Sequence, residues 1–349
     1  MKQLVRRLTA MSLVIAMLLC GCGTREVTSK DTEVDDTIRI GVCFDTFTIE
    51  RWLKDRDVFS STALNLGAEV NVQNANGDVD KQKEQITRFI DDNYDAIVII
   101  AVDETKLGDE IAAAHKKGIK IVAYDRMINN PNVDLYVSFD NEAVGAMMAE
   151  SIGDRLNEKS NTRRNVLMIC GSDTDRNVGM VETGFERVAE EKNLHIVDKY
   201  YAAGWRAENV DIYFAEHPDV LNQVDAIMCG NDSLAGEVIS ILAVNRKAGD
   251  IVVVGQDADL DACQRIVEGT QTMTVYKAVE LMASEAAVMT VSLCKNRSYG
   301  GAVNYISCDG GEIMYIAMTP EAVTIDNLDQ VIIESGFHLK EDVYRNVGL

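Results

Sequence analysis

From residue 38 onward, short apolar runs alternate with longer stretches of helical patterning. The runs are IRIGVCF, AEVNVQN, DAIVII, IKIVAY, LYVSF, NVLMIC, HIVDKYY, DAIMCG, IVVVG and TMTVY. Between most of them lie segments such as ERWLKDRDVFSSTALNLG, VDKQKEQITRFIDDN, ETKLGDEIAAAHKKG and NEAVGAMMAESIGDRL, with apolar residues at helical spacing. This rhythm predicts parallel sheets joined by right-handed crossovers. The runs are apolar throughout rather than alternating, as expected of strands covered on both faces. About ten strands divide more readily between two sheets in two lobes than they form one very wide sheet.

The N-terminus reads differently. MKQLVRR supplies a basic region, and LTAMSLVIAMLL an apolar run too short to span a bilayer comfortably. The sequence Leu19-Cys20-Gly21-Cys22 resembles a bacterial lipobox, with cleavage before Cys22 and acylation of its thiol. Cys20 fits worse, because bulky Leu19 would precede the cut. The expectation is a leader over residues 1–21, a polar tether over 22–37, and an exported protein lipid-anchored on the outer face of a bacterial membrane. An ordinary secretory signal or a single membrane anchor is the other reading. Loss of Lys2, Arg6 and Arg7 with the leader takes the formal charge from −22 to −25. So acidic a chain is a poor partner for nucleic acid or anionic lipid.

In open parallel α/β sheets, ligands bind beyond the carboxyl ends of the strands. Polar residues collect at those positions here: Asp45 and Arg51-Trp52 after the first run, Asp125-Arg126 after IKIVAY, and Asp140-Asn141 after LYVSF. Asp175 and Asn177 follow NVLMIC, and Trp205 follows HIVDKYY. Asn231-Asp232 follow DAIMCG, Gln256-Asp257 follow IVVVG, and Lys277 follows TMTVY. Planar Asp, Asn and Arg groups match the paired donors and acceptors of vicinal hydroxyls. The two tryptophans of the chain, Trp52 and Trp205, suit the apolar C–H face of a pyranose. Mixed charges leave a roughly neutral site, and no Gly-rich phosphate loop is present, so an uncharged sugar is expected. Each residue also has a structural reading: Trp52 as core aromatic, Asp140 and Asn231 as helix caps, Arg126 as a surface ion-pair partner.

Other motifs carry less. Asp257, Asp259 and Asp261 with Glu268 have the spacing of a calcium loop, but Ala262 stands where such a loop needs glycine and a strand, not a helix, enters it. Asp259 and Asp261 are expected to cap and charge the helix that follows. His115 precedes a Gly118 helix end, and His195, His217 and His338 lack partners at catalytic spacing. Six cysteines remain beyond Cys22, with Cys43, Cys170 and Cys229 in apolar runs, and buried free thiols are expected. No nucleophile with a base, and no cofactor or metal set, stands out, so a binding protein is favoured over an enzyme.

ERWLKDRDVF, NANGDVDKQKEQI, AYDRMI, SFDNE, GWRAEN, GQDADL, GTQTMTVYK and VIIESGFHLKE, in order from about residue 38 to 342, resemble the periplasmic sugar-binding proteins of the type I, ribose-binding-protein-like fold. The resemblance implies two lobes that close on an aldopentose, D-xylose first, as a monomer delivering it to a membrane ABC permease. A sugar-sensing subunit for a membrane kinase or receptor would use the same pocket. The sugar-contacting positions fall on Arg51, Trp52, Arg126, Asp175, Asn177, Trp205, Asn231, Asp257 and Lys277, with Asp125 in support. Three hinge crossings would divide the chain into residues 38–139 plus 278–318, and 140–277 plus 319–349. The loops GSDTDRNVGM and DTFTIERW depart from the family pattern beside the ligand.

Overall fold

The computed structural model describes residues 37–48, 51–160, 162–297 and 304–347. The leader, the tether and Cys22 lie outside the described residues. The first sheet contains Ile38–Phe44 (β1), Ala68–Asn74 (β2), Ala96–Ile99 (β3), Lys120–Tyr124 (β4) and Leu135–Phe139 (β5). Asn165–Cys170 (β6), His195–Tyr201 (β7), Ala226–Cys229 (β8), Val252–Gln256 (β9) and Met273–Tyr276 (β10) belong to the second. Asn304–Cys308 (β11) and Gly311–Met318 (β12) complete the first sheet, in the order β11-β12-β5-β4-β3-β1-β2. Glu321–Thr324 (β13) completes the second, in the order β13-β10-β9-β8-β6-β7. Pairing is parallel except for β11 with β12 and β13 with β10.

All ten apolar runs are strands. The three additional strands, β11 to β13, have alternating or mixed burial, and the turn between β11 and β12 is made at Gly310 with φ +91°. The expectation of strands covered on both faces fails at the edges. Every residue of β7, the last strand of its sheet, is exposed or half-buried.

The connecting helices are Arg51–Asn65 (α1), Val79–Asp91 (α2), Gly108–Lys116 (α3), Asn141–Asn157 (α4), Arg176–Glu191 (α5), Glu208–Glu216 (α6), Asp232–Val244 (α7), Leu260–Glu268 (α8) and Val279–Cys294 (α9). In α2 the apolar stripe Ile86, Phe89 and Ile90 is buried and the opposite face exposed. Its start is capped by Asp78, which accepts from Asp80 N–H at 2.9 Å. Each sheet is sandwiched between two apolar clusters. One face of the first carries Ile40, Val98 and Tyr124 with α1 and α9, and the other Ile97, Ile121 and Tyr136 with α2 and α3. Fully burying one such Ile or Val is worth about 1.5–3 kcal/mol, so these layers dominate the stability of the fold.

The chain leaves the first sheet after Phe139 and returns after Tyr276, where α9 packs against α1. It leaves again after Met318 to add β13 to the second sheet. Among the described residues no cysteine is in a disulfide: Cys43, Cys170, Cys229 and Cys263 are buried, and Cys294 and Cys308 are half-buried. Among the described residues no helix is long and apolar enough to cross a membrane.

Candidate functional site

Strand order reverses at β1 in the first sheet and at β6 in the second. In each case the next two strands lie on opposite sides, which opens a crevice at the carboxyl ends. Asp45 follows β1, Ala101 follows β3, and Arg126 follows β4. The Arg126 guanidinium bridges them: Nη1 is 2.7 Å from Asp45 Oδ2 and donates to Ala101 O at 2.8 Å. Its Nε lies 3.0 Å from Asp175 Oδ2, beyond β6 of the other sheet. Arg126 is 6% exposed, which overturns the surface ion-pair reading. A guanidinium this deep costs several kcal/mol to desolvate, in the order of magnitude of a buried ion, unless carboxylates surround it.

A second charge group lies beside the first. Arg51, the first residue of α1, is 3.2 Å from Asp55, 3.4 Å from Asp125 and 3.8 Å from Asp257 across the cleft. Lys277 reaches Asp257 at 2.7 Å. Tyr124 donates a short hydrogen bond to Asp55, which has no solvent exposure. Burial alone would lower the pKa of Arg51, but Asp125, Asp55 and Asp257 raise it well above the usual guanidinium range. Burial pushes the carboxyls of Asp55 and Asp175 upward against the pull of Arg51 and Arg126. It takes Asp45 to about 6.

Arg51, Trp52, Asp125, Arg126, Asp175, Trp205, Asn231, Gln256, Asp257 and Lys277 line an open pocket of about 280 Å³. A second cavity of about 410 Å³ shares Asp125, Asp175, Trp205, Gln256 and Lys277 with it and continues toward Cys170, Val178, Val181 and Met228. Nine of the ten residues expected from the sequence, Asp125 included, thus line the first cavity. Asn177 lines the second; its amide donates to Asp125 O at 2.7 Å and accepts from the Tyr136 hydroxyl at 3.0 Å. Its side chain therefore braces the two sheets.

The structural readings coexist with the site. Trp52 is 2% exposed within the apolar core, and its Arg51 neighbour stacks 4.5 Å over the ring. The Asn231 and Asp140 side chains cap their helices, accepting from Leu234 N–H at 2.9 Å and Ala143 N–H at 3.0 Å. Asp175 is also a cap, accepting from Asn177 N–H at 3.0 Å. Asp259 sits at the N-cap position of α8 without a side-chain capping bond, and Asp261 lies in the first turn. Gln256, Asp45 and Asn141 stand at strand ends in the sequence, but only contact distances reveal their part. Asp55 and Tyr124 carry no such positional signal.

Two features mark the cleft as built for a polar ligand. Trp52 Nε1 and Gln256 Oε1 are buried without a hydrogen-bond partner among the described residues, and buried polar atoms ordinarily have one. Asp125, Trp205 and Asp257 adopt positive φ of +60°, +59° and +100° without being glycine. Such strain costs on the order of 1–3 kcal/mol per residue and clusters at functional sites. The Trp205 ring lies on Gly171, where a Cβ would stand 2.2 Å from Cη2.

Residues 40–298 match the family model of the periplasmic binding protein domain. The chain is 37% identical over 333 residues to the D-xylose-binding periplasmic protein of Haemophilus influenzae, covering 94% of this chain and 98% of that one. It is 35% identical to the protein of the same name from Escherichia coli, covering 88% and 92%. Among solved structures it is similar to an ABC transporter solute binding protein from Clostridium phytofermentans with bound β-D-glucose. The TM-score is 0.77 at 27% identity, covering 87% of this chain and 99% of that one.

Proposed function

The chain belongs to the periplasmic binding protein family, as a sugar-binding protein of the ABC-transporter type and not an enzyme, and on that footing we propose that it captures an aldopentose, D-xylose first. The observation that carries this reading is the cleft itself. Two indoles and a set of paired carboxylate, amide, guanidinium and ammonium groups from both sheets line one cavity. Trp52 and Trp205 would take the C–H faces of the ring. Arg51, Arg126, Asn231, Asp257 and Lys277 would hold its hydroxyls, with Asp175 and Asn177 closing from the second sheet and Asp125 in support.

Two lobes, residues 38–139 plus 278–318 and 140–277 plus 319–349, would close about the three chain crossings. The closed form would be presented to a membrane permease. Anchoring through an acylated Cys22, with residues 22–37 as tether, would keep the protein at the membrane. The relatives named for D-xylose support the choice of ligand. Calorimetric titration of the mature protein with D-xylose, L-arabinose, D-ribose, D-glucose and D-galactose tests it. Tightest binding to D-xylose is expected; no heat with any aldose would overturn the reading.

A further inference from the structure

Asp232 follows Asn231 directly but lines neither cavity, and it is 1% exposed. Its carboxylate has defined work on both oxygens. Oδ2 accepts from the Thr274 hydroxyl at 2.6 Å and from Asp259 N–H at 3.1 Å. Oδ1 accepts from Gln271 Nε2 at 2.7 Å. Arg265 fixes the geometry from behind, donating Nη2 to Asp232 O at 2.9 Å and Nε to Gln271 Oε1 at 3.0 Å. The Gln271 amide therefore cannot turn its oxygen toward Asp232 without losing Arg265. The backbone makes room for the carboxylate at Gly255, where a Cβ would be 2.2 Å from Oδ1.

These bonds converge on the turn that carries Asp257. Asp257 and Ala258 both have positive φ, +100° and +54°, so the turn needs restraint from outside itself. Asp257 N–H donates to Val275 O at 2.9 Å, and Ala258 N–H donates to the Thr274 hydroxyl at 3.1 Å. Asp259 N–H goes to Asp232 itself. Two consecutive amides are thus held by one carboxylate, one directly and one through Thr274.

We propose that Asp232 is a positioning residue for sugar binding: it clamps the Asp257–Ala258–Asp259 turn so that the Asp257 carboxylate is held in the cleft against Lys277 and Arg51. The proposal rests on the reading that Asp257 contacts the sugar. Asp232→Asn keeps the shape but removes an acceptor: an amide nitrogen must then face Gln271 Nε2, the Thr274 hydroxyl or Asp259 N–H.

The test is a double-mutant cycle with hydrogen exchange. Asp232→Asn should weaken D-xylose binding about tenfold in the wild-type background, and at most about twofold in the Asp257→Ala background, because coupled residues are not additive. Without sugar, peptides covering residues 257–260 should exchange faster in Asp232→Asn than in wild type. Should Asp232→Asn fail to fold, Thr274→Val, which removes the relay to Ala258, carries both measurements with the same expectations. Equal losses in both backgrounds would show a general packing role and overturn the proposal, as would unchanged affinity and exchange. If the wild type binds no aldose, the sugar reading falls, and exchange alone then decides whether Asp232 holds the turn.

Discussion

Arg126 Nε lies 3.0 Å from Asp175 Oδ2, which joins the loop after β4 of one sheet to the cap of α5 behind the other. The same guanidinium holds Asp45 at 2.7 Å. A planar fork is thereby engaged by three acceptors, counting Ala101 O, a geometry that a single ammonium cannot reproduce. Arg126→Lys should therefore bind D-xylose at least about tenfold more weakly, and Arg126→Ala should lose on the order of 2–4 kcal/mol of binding free energy. Titration calorimetry on both variants checks this; wild-type affinity in Arg126→Lys would exclude the bridging role.

The two tryptophans are embedded differently, so their removal should separate stability from binding. Trp52 is part of the core, and Trp52→Ala should cost about 3–5 kcal/mol of unfolding free energy as well as affinity. Trp205 is only half-buried, so Trp205→Ala should reduce affinity with a smaller fall in thermal midpoint. Calorimetric unfolding beside sugar titration distinguishes them, and equal destabilisation by both would contradict it.

Gly171 supports the Trp205 ring from beneath. A methyl group there meets Cη2 at 2.2 Å, so Gly171→Ala must displace the indole. We expect weaker sugar binding by about tenfold, of the size of other 1–3 kcal/mol overpacking effects. In a Trp52→Phe background, Trp205 emission should also shift. An unaltered spectrum and affinity would mean that the ring is seated elsewhere.

Stability should carry a pH signature. Burial raises the Asp45 carboxyl to about 6. Because the folded carboxyl binds its proton more tightly than the unfolded one, its contribution declines as pH rises from about 4 to about 6. The slope is at most about 1.4 kcal/mol per pH unit. Asp45→Asn should remove this decline. Urea unfolding from pH 4 to 8 measures it; parallel pH profiles for variant and wild type would contradict the assignment.

Why the sequence exposed so much of this site, and not all of it, is a matter of distance along the chain. Polar residues immediately after a buried parallel strand are confined to one rim of a sheet, so Asp125, Asn231 and Asp257 could be placed from pattern alone. What pattern cannot reveal is which of those groups satisfy one another. Asn177 reads as a ligand contact, yet its amide is engaged by Asp125 and Tyr136, 52 and 41 residues away. Tyr124 and Asp55 meet across 69 residues, and Asp232 and Thr274 across 42. Likewise β11 escaped because the exposed edge strand NYISC lacks the continuous apolar run of a covered strand, whereas β12 beside it does carry such a run, IMYIAM.

The free thiols of the fold bear on how the protein can be made and kept. Burial raises Cys43, Cys170 and Cys229 far above the ordinary thiol range, chiefly by desolvating the thiolate. The thiolate is the nucleophile that reacts with oxidants, disulfides and alkylating reagents, so these sulfurs are chemically silent while the chain stays folded. Among the described residues the fold contains no disulfide, so their folding asks for no oxidant. Production in a reducing cytosol should give the same thermal midpoint as secretion, and alkylating reagents should label these three positions only after unfolding.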